Sequence, residues 1–503
     1  MAIKSKLLHN LGANYFGQIW VVLMSVLFIP IYIQYLGIEV YGLIGIYALL
    51  QSSLVILDLG LRAALGRETT RYANGENGDW YRDLLRSIEL IFLIIVVVLI
   101  ILINFLSEWL ASNWFVYESL DPIMVADCLK IMGVLAGLRF LEGIYSSILL
   151  GQQRHVTLNL LLSCNATLRG LGAVGVLIWL SPTLYGFFIW QVVVSLTTLL
   201  SLKIIAYSQI EKGIRRAVFS LAELNRIKEF ALSVAGASVL GAIIVNVDKV
   251  ILSKLLPLSE FAIYTLAGTV SAIIFNLASP VSQTWLPKVT ELFFKGNIIA
   301  LNRTFHLGAQ TGAALIGCVS IVLIVFAEVF LMLWIQDREL TVQLAPLVQV
   351  LALGNLFSGI TRYLGQMAYA HGMTRLVLYF NVAAIFVIIP GVIVITPLYG
   401  ALGAAWIWVT YTGSILFIGC PFIFRNILTK EMWGWYLTDT FIPLGVGAMV
   451  ALSLSFALPE PVGIVSKFLV LVLAVVLTIV STVSVMPELR SSVYTKFRSI
   501  ILS

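Results

Sequence analysis

Hydrophobic residues make up 60% of this 503-residue chain and charged residues only 11%, with a mean hydropathy of +1.00. A soluble domain is about one-quarter charged, so the solvent here is lipid, and a water-soluble enzyme or nucleic-acid-binding protein is excluded. At about 20 residues per crossing, the chain has room for about fourteen membrane helices and for no soluble domain of ordinary size.

Apolar runs of spanning length fall at 11–35, 39–61, 87–106, 121–148, 156–180, 184–207, 228–252, 259–284, 304–335, 341–369, 376–396, 398–424, 437–457 and 463–486. The first follows Lys4 and Lys6 like a secretory leader but carries Asn14 and Gln18 and lacks a convincing cleavage site, so it reads as a retained span. With the amino terminus inside, nearly every lysine and arginine falls in cytoplasmic segments or span ends, and the outer loops hold only Lys254 and Arg338. A Lys/Arg excess marks cytoplasmic loops. The net charge of +6 is therefore a topology signal, and both termini are expected inside. Between spans six and seven, residues 211–227 interleave basic and apolar side chains; an interfacial amphipathic helix is expected there, with a solvated linker as the alternative. Trp433, Trp435 and Tyr436, at a predicted span end, suit an interfacial aromatic belt.

The two halves share landmarks. Leu184-Tyr185-Gly186 with Trp190 recurs as Leu398-Tyr399-Gly400 with Trp406 and Trp408, and Arg139-Phe140-Leu141 as Arg362-Tyr363-Leu364. The predicted architecture is thus all-α: an amino-terminal six-helix lobe at 1–210, a linker at 211–227, a second six-helix lobe at 228–427 in pseudo-twofold relation, and two appended helices at 428–503. Parallel repeats of this kind point to a transporter that exposes a central site alternately to either side.

Ionisable residues inside spans are costly and are functional candidates. Asp58 and Arg62 lie four apart, and Arg139 and Glu142 lie three apart, which puts each pair on one helix face. Asp248 and Lys249 are adjacent in span seven, and Arg362 stands in span ten at the position matching Arg139. Ion pairs that merely hold helices together would give the same spacings. Two arginines at matching positions, however, suit a phosphate, which guanidinium grips bidentately. Pro280 in span eight aligns with Gly60 in span two, so each lobe's second helix is expected to bend. No catalytic constellation, metal-ligand spacing or nucleotide motif is visible, so neither a cofactor nor a metal is expected. Energy would come from a proton or sodium gradient, the membrane potential, or the substrate's own gradient.

Asn14-Tyr15-Phe16-Gly17-Gln18, Tyr35-Leu36-Gly37 with Tyr41-Gly42, and Leu57-Asp58-Leu59-Gly60-Leu61-Arg62 running into Arg67-Glu68 resemble the polysaccharide transporter branch of the multidrug/oligosaccharidyl-lipid/polysaccharide flippase superfamily, the O-antigen flippase type. The resemblance implies two six-helix lobes around a cationic cavity in a bacterial inner membrane. It also implies an undecaprenyl-pyrophosphate-linked oligosaccharide as substrate, moved from the inner to the outer leaflet, with a polysaccharide polymerase and glycosyltransferases as working partners. A lipid II flippase and an ion-coupled drug exporter of the same superfamily are the nearer alternatives, the latter weakened by the lack of an acidic residue in span one. A membrane glycosyltransferase or polymerase is the alternative from another class.

Overall fold

The computed structural model describes residues 17–75, 78–211, 215–459, 461, 463–492 and 494, without the side chains of 237, 276–284 and 374–377. The Asn14–Phe16 part of the first motif, the Pro280 ring and the side chains of Arg375 to Val377 therefore lie outside the described residues. Among these residues there is no strand, only an isolated bridge between Val116 and Pro257.

The helices are α1 Gly17–Leu36, α2 Ile38–Ser53, α3 Leu61–Ala73, α4 Asp79–Trp109, α5 Pro122–Gly151, α6 His155–Gly175, α7 Leu184–Tyr207, α8 Leu221–Leu255, α9 Leu258–Phe294, α10 Ile298–Val325, α11 Ala327–Trp334, α12 Arg338–Ala370, α13 Leu378–Ile427, α14 Met432–Ala457 and α15 Ile464–Ser484. Among the described residues, twelve stretches are long and apolar enough to cross a membrane. The 50-residue α13 is too long for one crossing at 1.5 Å per residue. It is interrupted at Gly400, whose φ of 59° and ψ of −150° are not helical. Dividing α13 there and adding the 30-residue α5 brings the twelve to the fourteen read from the sequence. The repeat landmarks both fall at helix starts: Leu184 opens α7 behind the Thr183 cap, and Gly400 opens the second half of α13.

Two compact units divide the chain at 1–262 and 263–503. In the first, α5 is the central helix, packed on α3, α4 and α7. Small residues make the α4 contact close: a Cβ on Gly137 would stand 2.6 Å from Val96 Cγ1. Phe92 stacks on Phe140 with ring centroids 4.5 Å apart. The opposite face of α4, from Leu93 to Phe105, is apolar and exposed, Phe105 by 82%. Such a face suits hydrocarbon. Helix α8, which the repeat counts with the second lobe, packs against α2, α3 and α4.

The second unit is built on an aromatic core of Trp285, Phe305, Tyr363, Phe424, Trp435 and Tyr436, to which α15 adds Ala474. Trp435 and Tyr436 thus depart from the expected interface belt: Trp435 is fully buried, and the buried Tyr436 hydroxyl donates to the Leu416 carbonyl at 2.5 Å. Trp433 remains exposed.

The connection before α8 also departs from expectation. Residues 221–227 are helical, as the first turns of α8, but 215–220 form no helix. The latter run along α4, where the buried Asp83 accepts from the Arg215 guanidinium and from Val218 N at 2.9 Å, and Ser87 Oγ accepts from Ser220 N at 2.8 Å. The Ser220 hydroxyl then accepts from Glu223 N and caps α8. One buried carboxylate has captured a basic segment that the hydrophobic pattern assigns to the membrane surface. In Asp83→Asn this strap is expected to be cut by trypsin at Arg215 or Arg216 several-fold faster than in the unaltered chain, because cleavage reports local opening. Equal rates would count against the pinning.

Candidate functional site

The site begins with a break in the second span. After α2 the chain tightens into a 3-10 turn, Leu54–Asp58, and then places Leu59 (φ 50°) and Gly60 (φ 70°) in left-handed conformation before α3 starts. This break sets Asp58 and Arg62 on either side of a corner. Arg62 Nε donates to Asp58 Oδ1 at 2.8 Å, the predicted pair. The Arg62 guanidinium also lies over the Phe140 ring, 5.8 Å from its centroid. Gly60 is required twice: its φ favours glycine, and a Cβ would stand 2.1 Å from the Ala231 carbonyl oxygen of α8.

Arg62 and Arg139 line one cavity of about 370 Å³ together with Gln51 and Ser52, a size within the usual range for ligand pockets. The buried Arg139 Nε has no hydrogen-bond partner, so an unsatisfied cationic donor borders this space. Ser52 Oγ donates to Asn246 Oδ1 of α8 at 2.6 Å, fixing the cavity wall.

Glu142 does not form the short-range pair that its spacing from Arg139 predicts. Its carboxylate faces Arg169 of α6, with Oε1 3.6 Å from Nη2, and both residues are buried. Arg169 further donates to Asn165 Oδ1 at 2.5 Å and to Ser195 Oγ, while its carbonyl accepts from Gln191 at 3.3 Å. Spacing by three offers a shared face, but the ion-pair contact of Glu142 is made with a neighbouring helix, its Oε1 accepts no hydrogen bond, and Arg139 lines the cavity. Asp248 and Lys249 interact with each other at 3.6 Å, and Lys249 Nζ donates to the Val245 carbonyl of its own helix. Arg362 belongs to the second unit, with its guanidinium 5.0 Å from the Phe275 ring centroid.

The structure thus brings together Asp58, Arg62 and Arg139; Glu142 serves Arg169, and neither Asp248 nor Lys249 lines that cavity. Gln51, Ser52 and Asn246 were missed in the sequence, where isolated amides and hydroxyls in apolar spans are the available signal.

The model of the family described as polysaccharide biosynthesis protein matches residues 7–293. The chain belongs to that family. In structure it is similar to the lipid II flippase MurJ in an inward closed conformation, at 16% identity and a TM-score of 0.67 over 97% of this chain and 98% of that one. It is also similar to an inward-facing multidrug resistance MATE family transporter of the MOP superfamily, at 14% identity and a TM-score of 0.62 over 84% and 95%. The Vibrio cholerae MATE transporter VcmN, in a mutant form, aligns at 14% identity with a TM-score of 0.58 over 85% and 98%. At these identities the likeness concerns the fold. No curated protein sequence matches the chain.

Proposed function

We propose that this protein flips an undecaprenyl-pyrophosphate-linked oligosaccharide from the inner to the outer leaflet of a bacterial cytoplasmic membrane by alternating access, in surface polysaccharide synthesis. The observation that carries the reading is the pair of arginines, Arg62 and Arg139, bordering one cavity in a chain of the polysaccharide biosynthesis family. A pyrophosphate and its sugars cannot cross hydrocarbon unaided, since each unsatisfied polar group costs several kcal/mol there. In this reading Arg62 and Arg139 attract the pyrophosphate, Arg362 is their counterpart at the matching repeat position, and Asp58 orients Arg62 and tempers its charge. Glu142, Asp248 and Lys249 act behind the site as supports. With the outside positive, moving two negative charges outward gains about 4 to 5 kcal/mol per 100 mV, so the membrane potential can drive the step with no bound nucleotide.

The test is flipping of a lipid-linked oligosaccharide in reconstituted vesicles under an imposed potential. Arg139→Ala and Arg62→Ala are each expected to lower the rate at least about tenfold, the value of one charge-assisted hydrogen bond of about 1.5 to 3 kcal/mol. Full activity in both folded variants would remove the anion-gripping role. If the unaltered chain moves lipid II or a cationic drug in place of every oligosaccharide offered, the substrate assignment fails and the corresponding alternative takes its place.

A further inference from the structure

A second polar cluster, in the second unit, takes no part in the proposed cavity. His306 of α10 lies between two carboxylates, with Nδ1 2.5 Å from Asp439 Oδ2 and Nε2 3.1 Å from Glu431 Oε2. Asp439 is 1% exposed and also accepts from Gln310 Nε2 at 2.7 Å, and Glu431 accepts from Asn302 Nδ2 at 3.1 Å. Asp439 sits in a π-helical stretch, Trp435–Phe441, a wide turn often found at functional sites.

Counting hydrogens constrains this cluster. A neutral imidazole has one N–H and one bare lone pair, and an ionised carboxylate offers lone pairs only. Both ring contacts are hydrogen bonds only when the three groups share two hydrogens, as an imidazolium between two carboxylates or as a neutral ring beside one carboxylic acid. Either arrangement carries a net charge of −1 on the triad. With one hydrogen fewer, a nitrogen lone pair would face a carboxylate lone pair, and two negative charges would share a largely buried site, which low dielectric makes expensive.

The charged groups on the surrounding elements are engaged elsewhere or exposed. Arg303 of α10 pairs with Glu488 at 3.0 Å, Glu291 of α9 is held by Lys288 and Lys295, and Arg362 of α12 lies over Phe275. Arg425 and Lys430, flanking the turn before α14, are exposed. The hydrogen that balances the triad is therefore one taken up from solution.

We propose that His306, Asp439 and Glu431 form a proton-binding site, and that the proton held there fastens α14 to α10. The same contact reaches the carboxy-terminal segment, because Gln310 Oε1 accepts from Leu489 N at 2.9 Å. Releasing the proton loosens all three elements at one point. The proposal stands whichever substrate the chain carries.

Glu431→Gln provides the decisive variant, since an amide can donate to the bare ring nitrogen and the extra hydrogen is then no longer needed. The measurement is thermal unfolding of the detergent-purified full chain between about pH 6 and about pH 8.5. An unfolded histidine has given up its proton above its ordinary value of about 6.5, so a proton retained by the folded triad makes stability fall as pH rises through the range of its release. The midpoint of the unaltered chain is expected to fall by about 3 °C more than that of Glu431→Gln across this window. His306→Gln is expected to show the same flattening and gives a second reading should one variant fail to fold. Equal pH dependence in the unaltered chain and in either folded variant would overturn the proposal, and no flipping assay enters the result.

Discussion

Glu142→Ala is expected to destabilise the first unit by about 3 to 5 kcal/mol, because it leaves the Arg169 charge buried without its counterion. Arg169 and Glu142 are 8% and 9% exposed, so water cannot replace the lost partner. Asn165 and Ser195 remain as acceptors for the guanidinium, but both are neutral and cannot offset a full charge. The measurement is the thermal midpoint of the purified protein, with Arg169→Met combined with Glu142→Ala as the control. Removing both charges is expected to restore most of the loss, since a buried ion pair is often replaced by apolar residues at little cost. A single variant as stable as the unaltered chain would mean that Arg169 is neutralised by another group.

Gly60→Ala is the second large effect. The left-handed φ of 70° costs a non-glycine residue about 1 to 2 kcal/mol, and the added methyl would stand 2.1 Å from the Ala231 carbonyl oxygen, a clash of the kind that costs a further 1 to 3 kcal/mol, roughly, in a packed interior. Relief requires α8 to move away from the corner that sets Asp58 and Arg62. The variant is therefore expected to lose about 3 kcal/mol in thermal or denaturant unfolding and, under the proposed function, to impair flipping together with stability. Ala231→Gly would leave the backbone oxygen in place and should not rescue it; full stability in Gly60→Ala would show that the two backbones are not held this closely.

Much of this architecture was legible because lipid imposes a simple rule: long apolar stretches between polar breaks. The fourteen spans, the Leu57–Arg62 motif and the Asp58–Arg62 pair all follow from local spacing. What was not legible depends on contacts between distant segments. The i,i+3 spacing of Arg139 and Glu142 correctly placed two charges on one helix, yet the ion-pair contact of Glu142 is made with Arg169, on another helix. The His306 triad joins residues 125 and 133 positions apart, and no local pattern announces it. Asp439 sits near the start of a predicted span, where a charge reads as a boundary. The strap at 215–220 fails for a related reason: its pattern fits an amphipathic surface helix, but Asp83 offers its backbone and its arginine a better set of hydrogen bonds.

The central helix of the first unit also constrains how the chain enters the bilayer. Helix α5 carries Asp127, Lys130, Arg139 and Glu142, and a charge near the middle of an inserting segment costs about 2.5 to 3.5 kcal/mol at the translocon. Lys130 has a partner already synthesised, Glu108 at 3.7 Å. Asp127 has Lys130 on its own helix, 3.1 Å away, whereas Glu142 must await Arg169 of α6. The hub of the finished bundle is thus a costly solitary passenger, and it is expected to settle in lipid more readily once its later neighbours have emerged.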